Sequence, residues 1–411
     1  MNTSKNLIGP GLLSILISFS QGCGFTWSVA KSDGADLNSH SEQRSGSDSV
    51  DAALSSDSNM AAGLRAASNG NLSLAISHFE SVLVDERLGH LAHFNLGNLY
   101  LLQGELEAAE IAFKKVLSIN KDFVQAAVAL ATIEERRGER ASAESSLRAL
   151  LKKHPDSLEA KAALAHLLAR AGQLGEAREL GLALLQVDER HAGAILALGM
   201  VYRRENKMEL AQMALTQVIE IEPRLGTAYN ELGLALNAQS KKAQAIRAFE
   251  AAVAANPGSG PIANNLGVLK TEVGACLAAI EVLLQAVKLE PQRPEYWVNL
   301  GNAYRGEQRY EDAQRSYLKS LELSEGFPAA LFNLGVLYLD NELPGKQNPL
   351  VRYQLSIDYL SRYSSLGGFR AKVEPELGKY IALARKLIER ERKRLERKRR
   401  RAQRKTAQAL K

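Results

Sequence analysis

Glycine or alanine returns every 34 residues at nine positions of this chain: Gly63, Gly97, Ala131, Ala165, Gly199, Gly233, Gly267, Gly301 and Gly335. Twelve residues beyond each of the first eight marks stands an alanine: Ala75, Ala109, Ala143, Ala177, Ala211, Ala245, Ala279 and Ala313. Four residues further a large side chain follows at most marks, Phe79, Phe113, Leu147, Leu215, Phe249, Leu283 and Tyr317, with Gly181 the exception. A fixed period of this length describes one helix-turn-helix unit that cannot bury its apolar face alone and must stack on its neighbours. Two antiparallel helices approach closely only where the facing residues lack bulk. The mark and the alanine are therefore expected to meet at the crossing, with the large residue filling the groove toward the following unit. Gly97, inside the amphipathic stretch "FNLGNLYLLQGELEAAEIAFKKVL", costs about 1 kcal/mol of helix propensity relative to alanine, offset by contacts that a side chain would block. Pro155, Pro223, Pro257 and Pro291 fall in the turns between units, where they cannot continue a helix.

The period, the Leu-Gly pair (Leu96-Gly97, Leu266-Gly267, Leu300-Gly301, Leu334-Gly335), the alanine and the terminal proline together resemble the tetratricopeptide repeat over residues 56 to 339. The resemblance implies an all-α fold: a helical solenoid wound as a right-handed superhelix, with eight repeats over 56–327 and a basic helix at its C-terminal end. A ninth repeat over 328–368 is interrupted by "NELPGKQN". If Ser356 takes the alanine role, nine residues are inserted, as an array cap or a docking loop. In the closing segment, 369–411, Leu377, Ile381, Ala384 and Ile388 share one helix face and can cover the end of the array.

The chain opens with Lys5 ahead of an apolar run from Leu7 to Phe19, too short to span a bilayer comfortably, and then "SQGCG". That is the layout of an export signal over 1–22. Gly22-Cys23-Gly24 resembles a bacterial lipoprotein signal, in which Cys23 would become the acylated first residue. Ser20 and Gln21 depart from that pattern, so plain cleavage and an uncleaved terminus stay open. Residues 23–55 read as a tether: from Ser28 to Ser58 there are 10 Ser among 31 residues and almost no large apolar side chain. As a coil it would reach about 30 Å. Cys276, the other cysteine, reads as a small buried side chain.

Residues 385 to 411 hold 14 Lys/Arg against 3 Glu, so they carry +11 of a formal +6 and the rest of the chain is mildly acidic. Arg397, Lys398, Arg399, Arg400 and Arg401 form the densest run. Such a segment binds polyanions by counterion release, and for an exported chain an acidic partner or an anionic envelope polymer ranks above nucleic acid, with a merely solvated helix also open.

No phosphate-cradling glycine loop or nucleophile motif is present, His90 and His93 lack further metal-ligand partners, and no cofactor or metal is expected. The reading is non-enzymatic. Family geometry assigns the groove to positions three before, one after and four after each mark. Those are Ala162, Leu196, Met200, Leu234, Val268 and Val298, interleaved with Asn230, Asn264, Asn302, Asn237 and Thr271. Some of these apolar residues can equally pad neighbouring helices. Asn265, Asn299 and Asn333, two before successive marks, would line the inner wall and hold a peptide backbone as stacked asparagines do in related arrays, or simply cap local backbone.

The whole layout also resembles tetratricopeptide lipoproteins of myxobacterial gliding-motility machinery, through "LYLDNELPG" and the Arg-rich closing helix. It equally fits pilotin lipoproteins that escort secretin subunits. The expected role is a scaffold or assembly factor, lipid-anchored at the periplasmic side of the outer membrane or soluble in the periplasm, that binds envelope proteins on its concave face. An adaptor presenting substrate to a separate enzyme is the alternative.

Overall fold

A computed structural model describes residues 13–20, 24–31, 46–340, 348–366 and 374–409. Cys23, residues 341–347 of the interruption and the Gly367-Gly368 pair lie outside them. Strands β1 (Leu13–Ser20) and β2 (Gly24–Lys31) pair antiparallel with Leu13 opposite Lys31. Both fall within the segments read as leader and tether. Helix α1 (Gly46–Ser68) starts ahead of the expected tether end at residue 55, so that boundary lies inside a helix.

The described residues from 46 onward are helical hairpins. With α1 these are α2 (Leu72–Glu80), α3 (Gly89–Gln103), α4 (Leu106–Ile119), α5 (Val124–Arg136), α6 (Arg140–Lys153), α7 (Leu158–Ala171), α8 (Leu174–Val187), α9 (Ala192–Arg204), α10 (Met208–Ile221), α11 (Gly226–Ala238) and α12 (Lys242–Ala255). They make up one compact unit, ending at Ser259. The second unit, from Gly260, contains α13 (Gly260–Glu272), α14 (Cys276–Leu289), α15 (Pro294–Gly306), α16 (Tyr310–Leu323), α17 (Pro328–Asp340), α18 (Pro349–Ser365) and α19 (Glu374–Ala409). Each repeat is one hairpin of an inner and an outer helix, so the fold is an all-α tetratricopeptide-repeat solenoid, as the register implied.

The marks explain the packing. The large residue sixteen positions after a mark lies on the glycine of its own repeat, and Phe79 and Phe113 share one core cluster with residues of the following repeats. A Cβ on Gly97 would come 2.7 Å from Phe113 Cε1, on Gly233 2.7 Å from Phe249 Cε1, and on Gly199 2.9 Å from Leu215 Cδ2. Phe79, Phe113, Phe249 and Tyr317 are thereby fully buried. Where residue sixteen is Gly181, the space goes to Leu198 of the following repeat, whose Cγ would lie 3.0 Å from an added Cβ. The ninth repeat keeps the same geometry across its insertion. Ser356 is fully buried and donates from Oγ to the Gly335 carbonyl at 2.7 Å. Leu360, four residues on, takes the place of the large residue against Gly335.

A second periodic row sits seven residues after the marks, in the turn between the two helices. Gly70, Gly104, Gly138, Gly172 and Gly274 all have positive φ, and Asn206, Ser240 and Gln308 hold the same left-handed conformation at φ 61, 61 and 59°. A Cβ there is strained, which is why glycine takes most of these positions. Cys276 is buried without a disulfide, in contact range of the backbone at Gly306. On α19, Leu377, Ala384 and Ile388 are buried, whereas the described side chains beyond Glu391 are exposed.

Candidate functional site

Inner helices carry the residues that a partner could reach, and the two units differ there. In the second unit, Asn264 and Asn265 on α13, Asn299 and Asn302 on α15, and Asn333 on α17 are all half-buried. The amides form cross-repeat pairs. Asn299 Nδ2 donates to Asn264 Oδ1 at 2.8 Å, and Asn333 Nδ2 donates to Asn302 Oδ1 at 3.0 Å. The Tyr317 hydroxyl also donates to Asn302 Oδ1, at 2.8 Å.

The consequence is directional. An amide oxygen has two lone pairs and its nitrogen two N–H donors. With both acceptor sites of Asn302 occupied, its remaining capacity is the NH2 group, which suits a partner's backbone carbonyl. Burial raises the Tyr317 phenol well above its ordinary pKa, so the hydroxyl stays a donor at all physiological pH. Tyr317, which the sequence reading used only for packing, also orients Asn302 through its hydroxyl. Its signal was available: it is the one tyrosine among the large residues at this repeat position, where the others are Phe or Leu.

The pairing also differs from a simple ladder. Asn299 and Asn333 bond to residues of the rows three before and one after the marks, so rows offset by 35 and 31 residues meet across neighbouring inner helices. Val268, on the expected floor, is half-buried and accessible from α13, and Val298 is buried at 3%.

In the first unit the expected floor is largely core. Leu196 and Met200 are 0% and 1% exposed and pack among Ala163, Leu167, Leu168 and Val201. They are therefore not groove-facing anchors. The physical reason is composition: α7 and α9 carry Ala162, Ala163, Ala165, Ala192 and Ala194, small enough for neighbouring inner helices to close over the longer side chains. Leu234 and Asn230 on α11 are half-buried and remain as candidate contacts.

Polar groups on these helices serve the array itself. His166 is buried, with its Nε2–H donating to the Gly193 carbonyl at 2.8 Å, and burial pushes its imidazole down to about 4. Arg136 donates to the Leu101 carbonyl at 3.2 Å and Arg204 to the Arg170 carbonyl at 2.9 Å. Each arginine caps the C-terminal end of the preceding inner helix, where carbonyls lack intrahelical donors. His90 lies edge-on to Phe123 at 6.1 Å, and among the described residues no cluster of three metal-ligating side chains exists.

Arg397, Lys398, Arg399, Arg400 and Arg401 are exposed on α19, and of these Arg400 pairs with Glu396 at 2.6 Å. No described helix is long and apolar enough to cross a membrane.

Family profiles described as "Tetratricopeptide repeat" match residues 90–123, 294–327, 128–194 and 196–260. The two single-repeat matches each begin seven residues before a mark, Gly97 and Gly301. No curated protein matches the sequence. Similar solved structures include YrrB, "a TPR protein with an unusual peptide-binding site", at 18% identity over 45% of this chain and 95% of that one, with a TM-score of 0.36. Another is the APC/C hetero-tetramer Cut9-Hcn1, at 16% identity over 80% of this chain and 76% of that one, with a TM-score of 0.49. A third is MamA of Desulfovibrio magneticus RS-1, at 17% identity over 43% and 97%, with a TM-score of 0.39.

Proposed function

Because its repeats are tetratricopeptide repeats, we propose that this chain is a non-enzymatic scaffold that assembles envelope proteins on the inner helices of its repeats. The observation that carries the reading is the half-buried amide set of the second unit, Asn264, Asn265, Asn299, Asn302 and Asn333, presented on consecutive inner helices. Amides with fixed orientation and partial exposure suit an extended segment, whose backbone offers one carbonyl and one N–H per residue. Leu234 and Val268 supply apolar contact in the two units separately.

The proposed compartment rests on the N-terminal sequence. An apolar run ending in Gly22-Cys23-Gly24 supports export and acylation at Cys23, with residue 24 being Gly rather than Asp favouring the outer membrane. A machine of the gliding-motility kind is the assembly whose lipoproteins the chain's layout resembles.

Capture tests the scaffold directly. The triple variant Asn265→Ala, Asn299→Ala, Asn333→Ala keeps its helical circular dichroism and loses the envelope proteins that the wild-type chain retains on beads; undiminished retention overturns the amide site. Radiolabelled palmitate tests the anchor, with incorporation expected in the wild-type chain and absent in Cys23→Ala. No label in either refutes acylation.

A further inference from the structure

Helix α19 is 36 residues long, and only its first half is held by the repeats. Leu377, Ala384 and Ile388 bury against the rest of the unit, the Glu391 side chain is 12% exposed, and each described side chain beyond it is exposed. The far half is therefore a rod standing free of the body.

Its charges are sorted by side. At about 100° and about 1.5 Å per residue, Arg390, Lys393, Arg394, Arg397, Lys398, Arg400, Arg401, Arg404 and Lys405 fall on one arc of about 160° along about 22 Å. All nine are exposed. Lys393, Arg394 and Arg400 make pairs with Glu389, Glu391 and Glu396 on their own helix, and such exposed pairs exchange readily for other anions. The opposite side carries Leu395, Ala402, Arg392 and Arg399. It continues the stripe of Leu377, Ala384 and Ile388 that packs on the body. The three glutamates lie on the flanks, just behind the basic face.

We infer that this face docks onto the phosphate headgroups of an anionic lipid bilayer, with the helix lying along the surface. One-sidedness is the argument. A helix sunk in a nucleic-acid groove meets phosphates on both flanks, where Glu391 and Glu396 would oppose binding. A rod laid on a plane presents its nine cations and turns the glutamates away. Guanidinium suits phosphate oxygens, and six of the nine are arginine. The back stripe, with Leu395 as its one large apolar residue, is too thin for burial in the acyl region, so the contact is electrostatic. The choice of a lipid plane over other planar polyanions rests on the envelope reading above.

The test uses the full chain bearing Cys23→Ala, so that no acyl group contributes. Binding is measured by co-sedimentation with vesicles of phosphatidylcholine containing about one third phosphatidylglycerol, and with phosphatidylcholine alone. Each basic residue at an anionic surface contributes about a fivefold factor in partitioning. The front pair Arg397→Gln, Arg401→Gln is expected to weaken binding about 25-fold, and the back pair Arg392→Gln, Arg399→Gln, with the same loss of charge, by less than about threefold. Circular dichroism of both pairs matches the parent. Neutral vesicles bind nothing, and 0.5 M salt releases the chain.

Equal losses from the two pairs overturn the oriented face. So does tighter binding to duplex DNA than to the vesicles at equal phosphate, which assigns the tail to nucleic acid. No vesicle binding by the Cys23→Ala chain, when the wild-type chain incorporates palmitate, defeats this inference alone, whereas vesicle binding by the Cys23→Ala chain without palmitate incorporation in the wild type supports it and defeats the acyl anchor alone.

Discussion

In the second repeat Gly97 lies under the ring of Phe113, whereas in the third repeat Ala131 shares the core with Leu147, and in the fourth Ala165 is combined with Gly181. More than one pairing fills the crossing: glycine stands against Phe113 and also against Leu215, Leu283 and Leu360, Leu147 shares the core with the methyl of Ala131, and Gly181 leaves room that Leu198 of the next repeat enters. The difference teaches that the crossing accepts several combinations of residues so long as the space is filled. Close packing explains it, because a void and a clash both cost stability at such a site.

The sharpest way to break that comparison is to put the third repeat's methyl into the second. In Gly97→Ala the new Cβ falls 2.7 Å from Phe113 Cε1, and overpacking of this kind is expected to cost about 2 kcal/mol, less about 1 kcal/mol returned by helix propensity. Adding Phe113→Leu recreates the Ala131–Leu147 combination and should recover part of the loss. Urea denaturation of the two single variants and the double gives the coupling energy. Strictly additive losses would show that the two positions do not share the crossing.

A pH-dependent effect separates the fourth repeat from its neighbours. Its position after the mark is His166, buried and held neutral, with its pKa pushed from an ordinary 6.5 to about 4 chiefly by desolvation. The unfolded chain binds a proton near pH 6.5 that the folded chain refuses until about pH 4. Stability from the neutral imidazole is thus complete above pH 6.5 and is lost as pH falls through that window. At pH 5.5 the expected loss is about 1.4 kcal/mol relative to pH 7.5. His166→Gln, whose amide can still donate to the Gly193 carbonyl, should flatten the profile between pH 7.5 and 5. An unchanged slope in the variant would assign the acid sensitivity to other groups.

The spine of the fold was legible because it repeats: nine marks and eight alanines specify the same crossing, and the substitution of Ser356 and Leu360 past the interruption could be read from the same ruler. The groove was legible only in part. Met200 and Leu234 occupy equivalent positions by count, one after a mark, yet the first is closed off by alanine-rich neighbours and the second is not. Accessibility depends on how adjacent inner helices meet, which a 34-residue count does not contain. The amide pairs show the same limit, since Asn299 meets Asn264 and Asn333 meets Asn302 across offsets that differ from the period. Tyr317 looked like a packing residue because its ring does pack; only its hydroxyl, reaching Asn302, distinguishes it from Phe249.

The turn row offers the finest discrimination between repeats. Gly104 and Gln308 occupy the same left-handed position, at φ 83 and 59°, but only glutamine has a Cβ crowding the carbonyl that follows. That conformation costs a non-glycine residue about 1–2 kcal/mol, while glycine gives back up to about 1 kcal/mol through the greater freedom of its unfolded chain. Gln308→Gly should therefore stabilise the chain by about 0.5 kcal/mol, and Asn206→Gly by less, because asparagine tolerates this region. Thermal unfolding of both variants measures the difference. A loss of stability in Gln308→Gly would mean that the glutamine side chain contributes contacts that outweigh its backbone strain, and the seventh-residue row would then be a matter of side chains rather than of turn geometry.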